Sequence, residues 1–268
     1  MNTGSLIFPS RLKIALPHGG GSNHLPLTQR PLVVHHLRAT ATCAICEARP
    51  ASVCSAVAER DLEQLAAVAI PLEVKAGRTI IREGDVADSF FNVTKGTARL
   101  FKSLPDGRRQ ITGFAGRGHF LGLAGSGTYA FGAEAITPLH YCRFPRARLR
   151  SVLADFPAFE RRLLDVASNE LGAAQEQMLL LGRKTARERV ASFLLARSEE
   201  VAPCVGRATL LHLSMTRGDI ADYLGLTIET VSRTFSRLKA DAVIGIPNTS
   251  DVVIQDHPRL VAEASGPH

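Results

Sequence analysis

Residues Ser214 to Ala242 read S-M-T-R-G-D-I-A-D-Y-L-G-L-T-I-E-T-V-S-R-T-F-S-R-L-K-A-D-A. Thr216 and Asp219 stand at the spacing of a capping box, in which a hydroxyl and a carboxylate reciprocally satisfy the free amides of a helix start. Gly225 supplies the left-handed residue that ends this short helix, and Thr227 caps the next. In the second helix Val231, Phe235 and Leu238 fall on one side, while Glu229, Ser232, Arg233 and Ser236 share roughly 100° of arc on the other. Two short helices joined by a tight turn, the second with a polar, short-armed face, form a helix-turn-helix. Segments 243–246 and 252–255 flank Pro247-Asn248-Thr249-Ser250 as a hairpin, the wing of a winged helix.

An exposed face with an acceptor, a hydroxyl and a guanidinium near the helix start suits major-groove readout, because the first turns of a recognition helix reach base edges. Arg233 can fork onto guanine O6 and N7, Glu229 can accept from a cytosine or adenine amino group, and Ser232 can serve a base or a phosphate. Arg217, Thr227, Arg237 and Lys239 are assigned to DNA phosphates. Each has a plainer role available: Glu229 favours the helix dipole, Ser232 is solvated, and Arg233 is a surface charge.

Working outward, the segment after Phe156-Pro157 has helical periodicity. Leu164, Ala167, Leu171, Ala174, Met178 and Leu181 alternate three- and four-residue steps, the seam of a dimerisation helix spanning 157–183. The alternative is a helix packed on its own barrel. A second helix over 185–198 follows, and the winged helix-turn-helix domain occupies 184–265. Upstream, an amphipathic helix over 61–69 precedes short segments bounded by glycine, at 78–83, 89–94, 97–102, 110–114 and 139–144. Brief strands at this spacing predict an antiparallel jelly-roll β-barrel over 58–156, and with the helices an α+β fold.

Three of the five cysteines crowd together as Cys43-Ala44-Ile45-Cys46 and Cys54, a C-x2-C-x7-C pattern in a loop over 43–57. Such clustering points to metal rather than disulfides. A fourth ligand must come from elsewhere. Four thiolates suit zinc or an iron-sulfur centre alike, and His35 or His36 could replace one of them at zinc. Cys204, beside Pro203, reads as a packed or idle thiol. Residues 1–42 carry four basic residues and no Asp or Glu, which reads as a disordered tail, with a mitochondrial transit peptide as the alternative.

The chain has 268 residues, enough for about two domains at the usual ~100–200 residues each. Hydrophobic residues make up 45% and charged residues 21%, which excludes a wholly disordered chain. Net charge is +7, favouring a polyanionic partner. No apolar stretch approaches the ~20 residues of a membrane span, so no membrane partner and a cytoplasmic location are expected. No catalytic constellation is visible, so the chain reads as a regulator rather than an enzyme.

These residues resemble the Crp/Fnr family of bacterial transcription regulators, specifically the oxygen-sensing Fnr branch with FnrN and FixK-type proteins. The likeness spans about Cys43 to Leu260. It is carried by Thr216-Arg217-Gly218-Asp219-Ile220, Tyr223-Leu224-Gly225-Leu226-Thr227 and Glu229-Thr230-Val231-Ser232-Arg233, with Gln110-Ile111-Thr112-Gly113-Phe114 and Met178-Leu179-Leu180-Leu181 in support. The resemblance implies a cyclic-nucleotide-binding-like β-roll and a homodimer on double-stranded DNA. It also implies that Glu229, Ser232 and Arg233 read TTGAT-like half-sites of a palindrome, ~34 Å apart. RNA polymerase is a partner by the same resemblance. It implies a [4Fe-4S] cluster held by Cys43, Cys46, Cys54 and Cys142, the last set in Tyr141-Cys142-Arg143-Phe144-Pro145, although the gap to Cys54 is longer than in the best-known Fnr spacing and fits the FnrN-like subgroup. A cluster-free FixK-like regulator, governed by abundance or thiol oxidation, is the nearest rival. No cyclic nucleotide is expected: Gly122-Leu123-Ala124-Gly125 replaces the relatives' phosphate-site sequence, and no Arg or Lys lies between Gly125 and Cys142 to pair with a cyclic phosphate.

Overall fold

The computed structural model describes residues 43–123, 127–201 and 210–266. The expected tail over 1–42 and Cys204 lie outside the described residues. The described residues include single turns of 3-10 helix at Arg49–Ala51, Val53–Ala56 and Glu59–Asp61, then helix α1, Leu62–Val68. A β-roll follows, made of β1 (Ile70–Val74), β2 (Thr79–Ile81), β3 (Ser89–Lys95), β4 (Ala98–Ser103), β5 (Arg109–Ala115), β6 (Phe120–Leu121), β7 (Gly132–Ala135) and β8 (Leu139–Pro145). These form two antiparallel four-stranded sheets, β1-β8-β3-β6 and β2-β7-β4-β5.

All five expected strands are present, with ends moved by a residue or two. Three others escaped the sequence pattern. β1 contains Pro71 and lies at a sheet edge, where a missing amide donor is tolerated. β6 has only two residues, and β7 is Gly-Ala-Glu-Ala, too small-chained to show alternation.

Alternation along β3 and β8 sorts side chains onto two faces. Phe91, Val93 and Tyr141 point into the roll, joining Ile81, Leu121 and Tyr129 in a filled interior. On the opposite face Phe120 and Phe144, with Phe90 and Cys142 alongside, pack against Val53, Val57, Leu62, Leu65, Phe159 and Leu163. The second layer thus binds the cysteine-bearing turns and the long helix to the outside of the roll.

Helix α2 (Arg146–Asp155) leads into α3, Pro157–Arg183, which starts with its proline where the missing amide costs nothing. At 27 residues it spans ~40 Å. Its first turns bury Phe159 and Leu163, and its end buries Leu180. Between them Leu164, Leu171 and Met178 are 63, 62 and 71% exposed, and Ala167 and Ala174 are exposed with them. Leu181, expected on the same seam, is instead partly buried against the helix-turn-helix core, because the chain turns there toward Gly225.

The remaining elements are α4 (Ala186–Val201), β9 (Leu210–His212), α5 (Arg217–Leu224), α6 (Ile228–Ala240), β10 (Ile244–Gly245), β11 (Asp251–Ile254) and α7 (His257–Ser265). The wing is three-stranded, in the order β10-β11-β9, rather than a lone hairpin. One continuous core joins this domain to the roll. Phe101, Ile111 and Phe114 from β4 and β5 are buried together with Phe193, Ile220, Leu224, Val231 and Phe235. Among the described residues no helix is long and apolar enough to cross a membrane.

Candidate nucleic-acid interface and cysteine site

The helix-turn-helix is built as its sequence dictates. Thr216 Oγ1 accepts from the Asp219 amide at 3.1 Å, and Asp219 Oδ2 accepts from the Thr216 amide at 2.9 Å, completing the capping box. Gly225 takes φ 61° and ψ 41°, and Thr227 caps α6 by accepting from the Thr230 amide at 3.2 Å. Asp219 has one further partner, Arg99 of β4, whose Nη1 donates at 2.6 Å. Burial pushes the Asp219 carboxyl up, but the bonds from Thr216 and Arg99 outweigh it and hold the group below the usual carboxylate range.

α6 buries Val231, Thr234, Phe235 and Leu238 and leaves Glu229, Ser232, Arg233, Ser236, Arg237 and Lys239 exposed. The polar face is therefore open along its length. The Glu229 carboxyl is lowered by its own backbone amide first and by the Thr227 hydroxyl, which keeps it ionised at the helix start. Arg233 Nε donates to the Glu229 carbonyl at 3.5 Å, a weak contact that leaves its fork free to reach outward. Arg217 differs from the expectation of a purely phosphate-directed side chain. Its guanidinium lies 3.7 Å from the centre of the Phe235 ring and is half-buried, which pulls its pKa down through desolvation.

Residues that the sequence pattern missed lock this domain in place. Arg189 donates to the carbonyls of Lys184 and Leu181 at the end of α3 and of Leu224 at the end of α5, each at 2.8 Å, and to that of Gly225 at 3.5 Å. It fills the role of a cation at two helix C-termini. Gln177 Nε2 donates to the Tyr223 carbonyl at 2.8 Å, and Gln110 Nε2 to that of Asp222. Rings of Phe114, Phe193 and Tyr223 meet pairwise at 5.4 to 6.3 Å. No local sequence signal announces these contacts, although Gln110 and Phe114 do lie in a motif that the sequence singled out.

The second site is on the outer face of the roll. Cys43, Cys46, Cys54 and Cys142 are all free thiols and all partly buried. Cys142, in the middle of β8, lies opposite Asn92 on β3 and Pro71 on β1. Burial pushes the Cys54 thiol up to about 12; the Ser52 hydroxyl opposes this, while Cys43 and Cys46 add to it. Burial also raises Cys142 to about 12, with Cys43, Cys54 and Cys46 adding to the rise. Burial and Cys46 raise Cys43. Charge on neighbouring sulfurs thus bears on Cys43, Cys54 and Cys142, and Arg49 is the cation that offsets part of it at Cys43 and Cys54. Arg49 is held in place by its bond to the Val57 carbonyl at 2.9 Å. Among the described residues, no three His, Cys, Asp or Glu side chains are arranged to hold a metal ion. The turn Val53–Ala56 packs on α3, where Ser55, Ala56, Arg161 and Leu164 line a shared groove.

Two family descriptions match the chain, a cyclic nucleotide-binding domain over residues 71–156 and a Crp-like helix-turn-helix domain over 188–263. The nitrogen fixation regulation protein FixK of Bradyrhizobium diazoefficiens is 43% identical over 204 residues, 76% of this chain and 86% of that protein. The transcriptional activator protein FnrL of Cereibacter sphaeroides is 37% identical over 244 residues, 90% of this chain and 96% of that protein. The structure of FixK2 from Bradyrhizobium japonicum superimposes with a TM-score of 0.67 at 36% identity, covering 72% of this chain and 96% of that one. With its β-roll, long helix and open recognition face, the chain belongs to the Crp/Fnr family and is a DNA-binding regulator of transcription, not an enzyme.

Proposed function

We propose that this regulator is an oxygen-responsive homodimeric activator that holds a [4Fe-4S] cluster on Cys43, Cys46, Cys54 and Cys142 and binds TTGAT-like palindromes when oxygen is low. The observation that carries the reading is the gathering of Cys43, Cys46, Cys54 and Cys142 from two distant segments beside the start of α3, close enough for their thiolates to repel. Four thiolates in a half-buried patch with Arg49 as the nearby cation are relieved by a bound positive centre. Bound there, the cluster supplies an oxygen-labile inorganic centre.

The chain's own contribution is position. Cys54 belongs to a turn that rests on α3, with Cys43 and Cys46 in the segment before it, whereas Cys142 belongs to the sheet, so a shared ligand set would fasten that segment against the helix start. The exposed line of Leu164, Leu171 and Met178 is an apolar seam fit for a second copy, and Ala167 and Ala174 weaken it. A preference of ~1–3 kcal/mol for the paired state changes association roughly 5- to 150-fold, which decides whether two recognition helices engage a palindrome together. There Arg233, Glu229 and Ser232 read bases, and Thr227, Arg237 and Lys239 contact phosphates. RNA polymerase is the partner of an activator bound in this way. The filled roll interior, with Phe91, Tyr129 and Tyr141 occupying it, supports a scaffold without a cyclic nucleotide.

Purification without oxygen, followed by iron and acid-labile sulfide analysis and visible absorbance before and after air, tests this reading. A coloured protein with equal iron and sulfide that bleaches in air, and a Cys142→Ser variant that stays colourless, are the expected results. A colourless protein containing zinc, or one containing no metal that binds TTGAT-like DNA equally in air, overturns it.

A further inference from the structure

The β3 strand carries a polar side chain that the DNA-binding machinery does not use. Asn92 is only 2% exposed, yet its Oδ1 meets no hydrogen-bond partner. A buried carbonyl oxygen left unpaired is costly, so an unexplained one marks a place where the protein accepts a local loss. Its neighbours show where it faces. Asn92 is directly opposite Cys142 on β8 and Phe120 on β6. Residues opposite one another in antiparallel strands project to the same face of a sheet. That face is the outer one, where Phe90, Phe120, Phe144 and Cys142 meet Val53, Cys54 and Val57. The amide thus shares a face with Phe90, Phe120 and Phe144 and lies beside Cys142. Its immediate neighbours on this face, Phe90 on β3 and Cys142 and Phe144 on β8, are aromatic or a thiol, so an amide there is a choice against packing.

We infer that Asn92 is a positioning residue for the four-cysteine site, its carboxamide turned so that the N–H end donates to sulfur on the Cys142 side. The inference rests on the cluster reading above. An amide's two ends are interchangeable by a half-turn, so the unpaired oxygen does not fix which end meets the site. Chemistry fixes it: thiolates and sulfides accept hydrogen bonds and repel a carbonyl oxygen. Donors to cluster sulfur set both its potential and its retention, because they draw charge from the sulfur. Arg49 offers positive charge from the side of the amino-terminal turns, and Asn92 supplies a neutral donor from the sheet.

The test uses the full chain reconstituted without oxygen, with Asn92→Leu, which keeps the branched shape and removes both polar ends, and Asn92→Ser, which keeps a donor. Iron release to a chelator under argon and the midpoint potential of the cluster are measured, and circular dichroism of the metal-free chains reports folding. The Leu variant is expected to release iron roughly 10-fold faster and to move to lower potential, with the Ser variant between it and the parent. Release and potential unchanged in a folded Leu variant overturn the inference and leave the amide as a packed polar group. If the Leu variant does not fold, the Ser variant decides, since parent-like release supports a donor and release tenfold faster opposes it. A parent chain that takes up no iron and sulfide overturns the cluster reading, and this inference with it.

Discussion

At the scale of single residues, Asp219 does three things at once. It closes the capping box of α5, receives the Arg99 guanidinium from β4, and is itself 6% exposed. The first role was legible in the sequence, since Thr216 and Asp219 are three positions apart. The second was not, because 120 positions separate Arg99 from its partner and no periodic pattern links them. A depressed carboxyl contributes stability that is present above its unfolded pKa of ~3.9 and lost as the pH falls through the lower folded value. Asp219→Asn should therefore cost about 1–3 kcal/mol at pH 7. The difference from the parent should shrink steadily as pH falls below ~4. Urea unfolding followed at pH 7 and pH 3 checks both parts; an equal difference at the two values would show that ionisation of Asp219 plays no part. The same contrast between local and distant signals recurs at α6. The amphipathic spacing of Val231, Phe235 and Leu238 revealed which face is open, but the stacking of Arg217 on Phe235 depends on how two helices cross.

Among the elements, the long helix shows most clearly what periodicity can and cannot say. Its three- and four-residue steps mark a stripe, and Leu164, Leu171 and Met178 stand exposed along it. They do not mark where the stripe ends. Leu181 follows the pattern and nonetheless turns inward, since Gly225 and Arg189 draw the end of α3 onto the helix-turn-helix. Phe159 and Leu163 lie off the stripe and are buried, because the roll and the cysteine turns cover that side. Short or proline-bearing strands such as β1, β6 and β7 escaped for the opposite reason: too few residues alternate for a pattern to exist. If the seam is marginal because alanines interrupt it, filling one gap should strengthen it. Ala174→Leu adds about 1.5–3 kcal/mol of apolar burial per side chain when two helices close over it. On the proposed function, the variant should be dimeric and bind palindromic DNA in air, whereas the parent chain should be monomeric there. Sedimentation of both proteins with and without oxygen decides the matter, and a variant whose association still follows oxygen like the parent's would remove the alanines from the explanation.

For the whole molecule, the decisive feature is that the β-roll and the DNA-binding reader do not have separate cores. Phe114 of β5 fits between Phe193 of α4 and Tyr223 of α5, and Phe101 and Ile111 extend the contact along the sheet. Gln110, Arg99 and Thr97 then bond across to Asp222, Asp219 and Ser214 around this apolar centre. The roll is therefore attached to the first helix of the reader directly, and through α3 a second time by way of Leu180, Gln177 and Arg189. Two attachments make a closed loop in which α3 cannot shift on the roll without straining the contact at α5. In the proposed dimer, a change in how α3 pairs would thereby be delivered to the orientation of α6 as well as to the distance between two readers. Phe114→Ala tests this coupling. Removal of the ring should cost about 3–5 kcal/mol of packing. Because that loss falls on the junction, calorimetry should resolve the single transition of the parent into two, with the reader melting first. DNA affinity should fall even in a chain held dimeric by Ala174→Leu, as each half then loses its fixed orientation. A single transition at lower temperature, with DNA binding intact in the doubly substituted chain, would mean that the ring adds stability alone and that α3 by itself positions the recognition helix.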